Sequence, residues 1–440
     1  MVRDAPVPPR NDLVWRRLSG FVRLMALGWA AALLYHYVMG ALLRLPYPAN
    51  TFLFDPADRF GDLINTWRQA RAPDPYAAPG NAVAAYFPLV YLALTVLRRA
   101  SGTWVIAIYL LLTFGAALAL GLAWIRRERA RWAGDSRWPV AAALALVIAL
   151  ANYPLLMAVD RGNVDPLITV VLAAAVASLY RGRPLLGGIL LGVSAAAKGY
   201  PLVAAVLWVR RGRVLAALAA AATLVALVLL PGLAFEGGVG GTLRGLAGGL
   251  ARFRELYVLG DASAHFSADA LNAIRLAALW AGAAPDMARL VPAYEAVALL
   301  WAGLLCAHAL LFARGTWRES LAVVLVMLVF PNVTNDYKLV LLVPVVLAWV
   351  SSEEERGWRD RVFAVCAALL LVPKHYGVLL DGRDATGSSL VSPLLLLGLT
   401  AVLWPAPDEA REARATLARV RAAVVRVVSR SDAPSLGEGG

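Results

Sequence analysis

Cysteine and lysine are nearly missing from these 440 residues. Cysteine occurs twice, as Cys306 and Cys366, each inside an apolar segment and without metal or redox spacing. A disulfide framework and a cysteine-based zinc site are therefore excluded, and both thiols read as small core residues. Lysine occurs three times among 42 basic residues, as Lys198, Lys338 and Lys374. The chain also lacks a Gly-rich nucleotide cradle, a standard metal-ligand cluster and a serine-hydrolase elbow. Charge is missing from whole stretches: Thr103–Ile125, Trp138–Val159 and Val214–Phe235 carry none.

Each of those stretches is long enough to cross a hydrocarbon core as a helix, which takes about 20 apolar residues. Hydrophobic residues make up 60% of the chain, against about 45–50% in soluble domains. A soluble helical protein is thereby disfavoured. The fold class expected is all-α: a polytopic transmembrane bundle of about twelve helices, since only helices satisfy their own backbone in lipid at this composition. The net charge of +13 comes from arginines placed between apolar blocks. That points to orientation and anionic membrane lipids as partners, not to nucleic acid.

Residues 1–17 are polar and basic and are expected in the cytoplasm. No cleavable signal is expected, because Arg44 and prolines follow the first apolar block, Leu24–Leu43. The polar stretch 44–102 then forms a first outer loop, within which Tyr86–Leu97 is apolar but short. If Tyr86–Leu97 crossed, seven arginines of the turns 126–137 and 181–183 would fall outside. The positive-inside rule instead lays it along the interface and makes Pro184–Val209 double back at Lys198-Gly199-Tyr200-Pro201. The divisions expected are an N-terminal transmembrane module over 18–231, an outer loop over 232–289, a C-terminal module over 290–405 and a cytoplasmic basic tail over 406–440. In that tail Leu417, Val420, Val424 and Val428 recur at helical spacing among arginines, as in a surface amphipathic helix.

All three lysines end apolar blocks, stand within two residues of a tyrosine, and face outward in this topology. A lysine near the bilayer tends to mark a site, and its compact charge suits phosphate; snorkelling to the interface is the ordinary alternative. Acidic residues gather on the same face. Asp58 and Asp62 are four apart and suit one face of a short helix. A capped, solvated loop accounts for Asp58; Asp62, followed at once by Leu63 and Ile64, reads as a general base. The turn Asp160–Pro166 holds Arg161, Asn163 and Asp165, with helix capping as the plain role for Asp165. Asp336 beside Lys338 suits an ion pair or a sugar contact. Tyr200, His375 and Tyr376 accompany the lysines, and His265 lies in the long outer loop. His36 and His308 sit inside helices and read as core residues.

The order of these short motifs resembles glycosyltransferase family 87, within the C-type membrane glycosyltransferases. It runs Gly61-Asp62-Leu63, Asp74-Pro75-Tyr76, Tyr86-Phe87-Pro88, Arg161-Gly162-Asn163, Lys198-Gly-Tyr-Pro201 and Asn335-Asp-Tyr-Lys338, over about 18–404. The chain departs from the family pattern where it has Tyr-Phe-Pro for Tyr-Pro-Pro and Arg-Gly-Asn-Val for Gly-Gln-x-Asn. The resemblance implies a C-type fold with juxtamembrane helices in the first outer loop, Asp62 as catalytic base, and site roles for Asp165 and Lys198. It also implies a multi-pass inner or plasma membrane enzyme with its site on the outer or periplasmic face. The enzyme would be a hexosyl- or pentosyltransferase taking a sugar, mannose or arabinose, from a polyprenyl-phosphate donor to a lipid or glycan acceptor of the cell envelope, with inversion. Lys198, Lys338, Lys374 and His375 would hold the donor phosphate; Asp58, Arg161, Asn163, Asp165, Tyr200, His265, Asp336 and Tyr376 would line the substrate site. No cofactor is expected, with a divalent metal left open. A transporter or flippase of lipid-linked sugars is the main alternative, and a non-enzymatic assembly subunit the third.

Overall fold

The computed structural model describes residues 10–77, 83–264, 266–312, 315–329, 331–353, 357–380, 383–404 and 411. The expected tail over 406–440 thus lies outside the described residues except for Arg411, as does His265. The fold is overwhelmingly helical. One short antiparallel ladder, Gly377–Leu380 with Arg383–Thr386, is an addition to the all-α expectation.

The expected count of about twelve crossings is not reproduced. Five described helical segments are long and apolar enough to cross: Arg10–Leu42, Gly102–Trp132, Trp138–Arg161, Val214–Leu233 and Met287–Leu311. The other apolar segments form shorter helices. Large apolar side chains such as Leu27, Leu111, Leu215 and Leu300 point outward from the long helices. Such a surface is stable against lipid, not water. By contrast, Thr316–Val329 and Leu342–Val350 are buried on nearly every side, as expected of an all-round apolar helix at the centre of a bundle.

The short helices bear on the two solutions considered for the first loop. Within Tyr86–Leu97 the helix runs only over Pro88–Thr95, eight residues, or about 12 Å at 1.5 Å per residue. It is too short to cross alone. Pro184–Val209 doubles back as expected. Its first half, Pro184–Lys198, stops at Gly199, whose φ of 70° and ψ of −47° no ordinary residue adopts comfortably. The indole of Trp208 then donates to the carbonyl of Pro184 at 2.9 Å, so the end of the segment lies beside its start. A side chain at Gly188 would collide with the Ala216 carbonyl. Small residues thus let Pro184–Lys198 press between Asp165–Tyr180 and Val214–Leu229, its main helical neighbours.

The bundle has two chemically different ends. At one, Arg137 pairs with Asp12 and Asp135, Arg17 with Asp360, and Arg211 with Glu319. The arginine-rich turns 126–137, 181–183 and 210–213 all belong to this end. Helix Gly102–Glu128 gives the direction. Trp124 bonds Ser351 at the arginine end, whereas Tyr109, four turns earlier, bonds the carbonyls of Ala158 and Asn163 at the other. His36 differs from its expected core position: it is exposed at the end of the first helix, its ring against Phe52 at 5.8 Å.

Candidate active site

The polar end is built around a kinked helix pair. Asn152 closes Trp138–Leu150 by donating to the carbonyls of Ile148 and Ala149, and caps Tyr153–Arg161 by accepting from Leu155 N at 2.9 Å. That second helix delivers Asp160 and Arg161. Asp160 then fixes the first loop: its carboxylate accepts from Phe54 N at 3.0 Å and its carbonyl from Phe60 N at 2.6 Å. Gly162 ends the helix at φ 72°, where an added side chain would strike Leu63. This close approach puts the Arg161–Asp165 turn directly against Asp62.

Asp62 occupies the first turn of Gly61–Ala70. Its Oδ1 accepts from Arg161 Nη2 at 2.6 Å and its Oδ2 from Asn163 Nδ2 at 2.8 Å. It remains 21% exposed. Asp58 does not share a helical face with it. Phe60 is left-handed, with φ 56°, so the helix begins only at Gly61 and Asp58 stays in the short turn Pro56–Asp58. The two carboxylates are joined instead through Arg161, which also pairs with Asp58. The guanidinium lies 4.2 Å above the Phe54 ring, a flat platform that suits its planar fork.

Asn163 continues the network. Its Oδ1 accepts from Lys198 Nζ at 2.8 Å, and its amide nitrogen reaches Tyr86 OH at 3.4 Å. Asp165 is fully buried. It is the first residue of helix Asp165–Tyr180 but does not cap it with its side chain. Its carboxylate instead accepts from Lys198 Nζ at 3.0 Å and from Tyr200 OH at 2.6 Å. Burial pushes the hydroxyls of Tyr86, Tyr200 and Tyr337 well above the ordinary phenol range, with nearby carboxylates adding to it. They remain hydrogen-bond donors at any working pH.

The three lysines differ in their partners. Lys198 is paired with Asp165, between the rings of Tyr86 and Tyr337. Lys374 is paired with Asp336 at 3.3 Å, beneath Tyr153. Asp336 also accepts from Ser392 at 3.1 Å, while its Oδ2 is buried without a partner among the described residues. The Lys338 ammonium has no ion pair or hydrogen bond among the described residues. It rests 4.5 Å over the Tyr200 ring, and burial lowers its pKa to about 8. His375 bonds Ser388 at 3.2 Å, and the Tyr376 ring lies tilted against Tyr35 at 4.3 Å. Phe54, which carries the Arg161 guanidinium, also lies 6.0 Å from the His375 ring.

Sequence reasoning missed several parts. Asp269 caps Ala270–Trp280 and, with Ser267, holds the strand-like stretch at Thr334 that leads to Lys338. Burial raises the Asp269 carboxyl to about 6. A carboxylate two residues after a serine and three before an asparagine was a legible capping signal. Phe54 and Asp160 had no such signal, because their roles depend on contacts across about a hundred residues.

Below Asp62 lies a cavity of about 280 Å³. Apart from Asp62 and Tyr86 its walls are almost wholly apolar, including Leu94, Leu112, Ile168 and Val193. Asp62 and Tyr86 thus border an apolar, lipid-like slot. Among the described residues, no three His, Cys, Asp or Glu side chains are grouped to hold a metal ion. A family model for glycosyltransferase family 87 matches residues 84–331. That segment contains Tyr86, Arg161, Asn163, Asp165, Lys198 and Tyr200, while Asp62, Asp336, Lys338 and Lys374 lie outside it. Comparisons with curated proteins and with solved structures give no match.

Proposed function

The chain belongs to glycosyltransferase family 87 and is a membrane glycosyltransferase, and we propose that it takes its sugar from a polyprenyl-phosphate donor at the polar end described above. The observation that carries this reading is Asp62, a clamped carboxylate bordering an apolar slot. A base so placed meets a hydroxyl held by one substrate while an isoprenoid or acyl chain fills the slot. The lack of a Gly-rich nucleotide cradle in the sequence fits a donor that is not a cytosolic nucleotide sugar.

In the reaction, Asp62 takes the proton of the acceptor hydroxyl, whose oxygen forms a bond to the anomeric carbon. The bond from that carbon to the donor phosphate oxygen breaks on the opposite face, with inversion. Polyprenyl phosphate leaves with the electron pair. Lys338, the lysine without a carboxylate partner, meets the charge that develops on it. Lys198 and Lys374 are held by Asp165 and Asp336 and shape the site around it. The arginine-rich end faces the cytoplasm and the site faces outward, because arginine-rich turns stay inside. The sugar is a mannose or arabinose, and the acceptor a glycolipid or polysaccharide of the cell envelope.

The test is a screen of purified protein against polyprenyl-phosphate sugars and acceptors, reading released polyprenyl phosphate. Stoichiometric release with a new glycosidic bond supports the reading. Movement of the intact donor across a vesicle bilayer, without bond formation, would instead support a flippase.

A further inference from the structure

A second cavity, of about 370 Å³, opens at the arginine-rich end, away from Asp62. Its walls are apolar: Leu172, Val176, Leu207, Val324, Met327 and Val345. Its inner limit is set by Thr169, Ala204 and Leu341, each about one helical turn beyond Asp165, Tyr200 and Lys338. From Thr169 to Tyr180 the helix rises about 16 Å at 1.5 Å per residue. The cavity is therefore a shaft running along the bundle to the underside of the site. Apart from Thr169, whose hydroxyl donates to the Asp165 carbonyl, the polar groups gather toward its outer limit, where Arg127, Tyr180, Arg181, Thr316 and Ser320 line it.

The charge there is one-sided. Glu319 is already taken by Tyr180 and Arg211, and Glu128 by Arg131. Arg127 keeps only a 3.7 Å contact to Glu128, and Arg181, exposed, has no ion pair among the described residues. We propose that this shaft is a binding site for an anionic phospholipid, one acyl chain filling the apolar interior and the phosphate meeting Arg127 and Arg181. An apolar interior takes hydrocarbon readily. Neighbouring arginines concentrate anionic headgroups at the same surface. The chain's own tail, arginine-rich over 411–430, would be repelled by that rim, so charge selects the lipid over the tail.

The experiment uses delipidated full-length protein in detergent, with phosphatidylglycerol or phosphatidylcholine added back. Bound lipid is counted by native mass spectrometry alongside the melting temperature. One retained phosphatidylglycerol, with a raised Tm that phosphatidylcholine and inorganic phosphate do not reproduce, is expected. Replacing both rim arginines, Arg127→Gln with Arg181→Gln, should weaken retention about tenfold or more, since each contributes about 1 kcal/mol. Ala177→Phe, which fills the shaft and leaves the arginines, should abolish it. Equal retention of the two lipids, or retention unchanged in both variants, would overturn the assignment.

Discussion

Arg161 and Asp62 stand 99 residues apart in the chain and meet at 2.6 Å, Nη2 to Oδ1. The same guanidinium holds Asp58, so a single fork sets the position of two first-loop carboxylates. A carboxylate clamped at both oxygens keeps a fixed aim, with its remaining lone pairs free to receive a proton.

Arg161→Lys keeps the charge but cannot hold both carboxylates as a fork. A fall in kcat of about 10-fold or more is expected, in line with what a 1 Å misplacement does to a reacting group. Asp58→Asn should cost only a few-fold, because Asp58 is 47% exposed and does not enter the slot. Steady-state kinetics of both variants check the order; a larger loss for Asp58→Asn would reverse the roles.

Lys338 gives the pH dependence. Burial lowers its pKa to about 8, so the ammonium that meets the donor phosphate is lost as pH rises through about 8. The KM for the donor should climb above that pH. Lys338→Arg, which stays charged, should remove the climb while lowering the rate overall. Stability moves the other way. The unfolded chain holds the lysine proton up to about 10.4, so between about 8 and about 10.4 it binds more protons than the folded chain and stability rises with pH. A pH–KM profile for the two proteins decides the matter.

Lys374 and Asp336 form a buried pair, and removing one partner leaves the other charge without compensation. Lys374→Met should destabilise the protein by about 3–5 kcal/mol, seen as a large fall in Tm. A donor KM defect without loss of Tm would place Lys374 on the phosphate instead.

The two ends predict opposite labelling. In a background lacking Cys306 and Cys366, Arg59→Cys and Arg183→Cys introduce thiols at the polar and arginine-rich ends. An impermeant maleimide on intact cells should label position 59 and spare position 183 until the membrane is opened.

The arginine distribution and the three lysines were legible because both are statements about ends of apolar blocks. They led to the doubled-back Pro184–Val209 and to the meeting of Asp62, Arg161, Asn163, Asp165 and Lys198. The pairing of those residues was not legible. It depends on Asn152 redirecting a helix and on Asp160 accepting from Phe54 and Phe60, contacts between segments remote in sequence. The expected helical face for Asp58 and Asp62 failed because Phe60 takes a left-handed backbone that favours glycine or asparagine, and nothing in its side chain signals this. Only five segments meet the length of a lipid-facing span, because central helices such as Leu342–Val350 are sheltered by protein and need not have that full length.

Asp62 is the residue on which the proposed chemistry depends most. Asp62→Asn preserves volume and keeps an oxygen for Arg161, yet removes the group that accepts the acceptor's proton. Its new amide meets the Asn163 amide donor, so a Tm lowered slightly, with the fold kept, and a turnover lowered about 100- to 10,000-fold, the range for a lost general base, are predicted for the purified variant from release of polyprenyl phosphate. Near-normal turnover in a folded Asp62→Asn protein would contradict that chemistry.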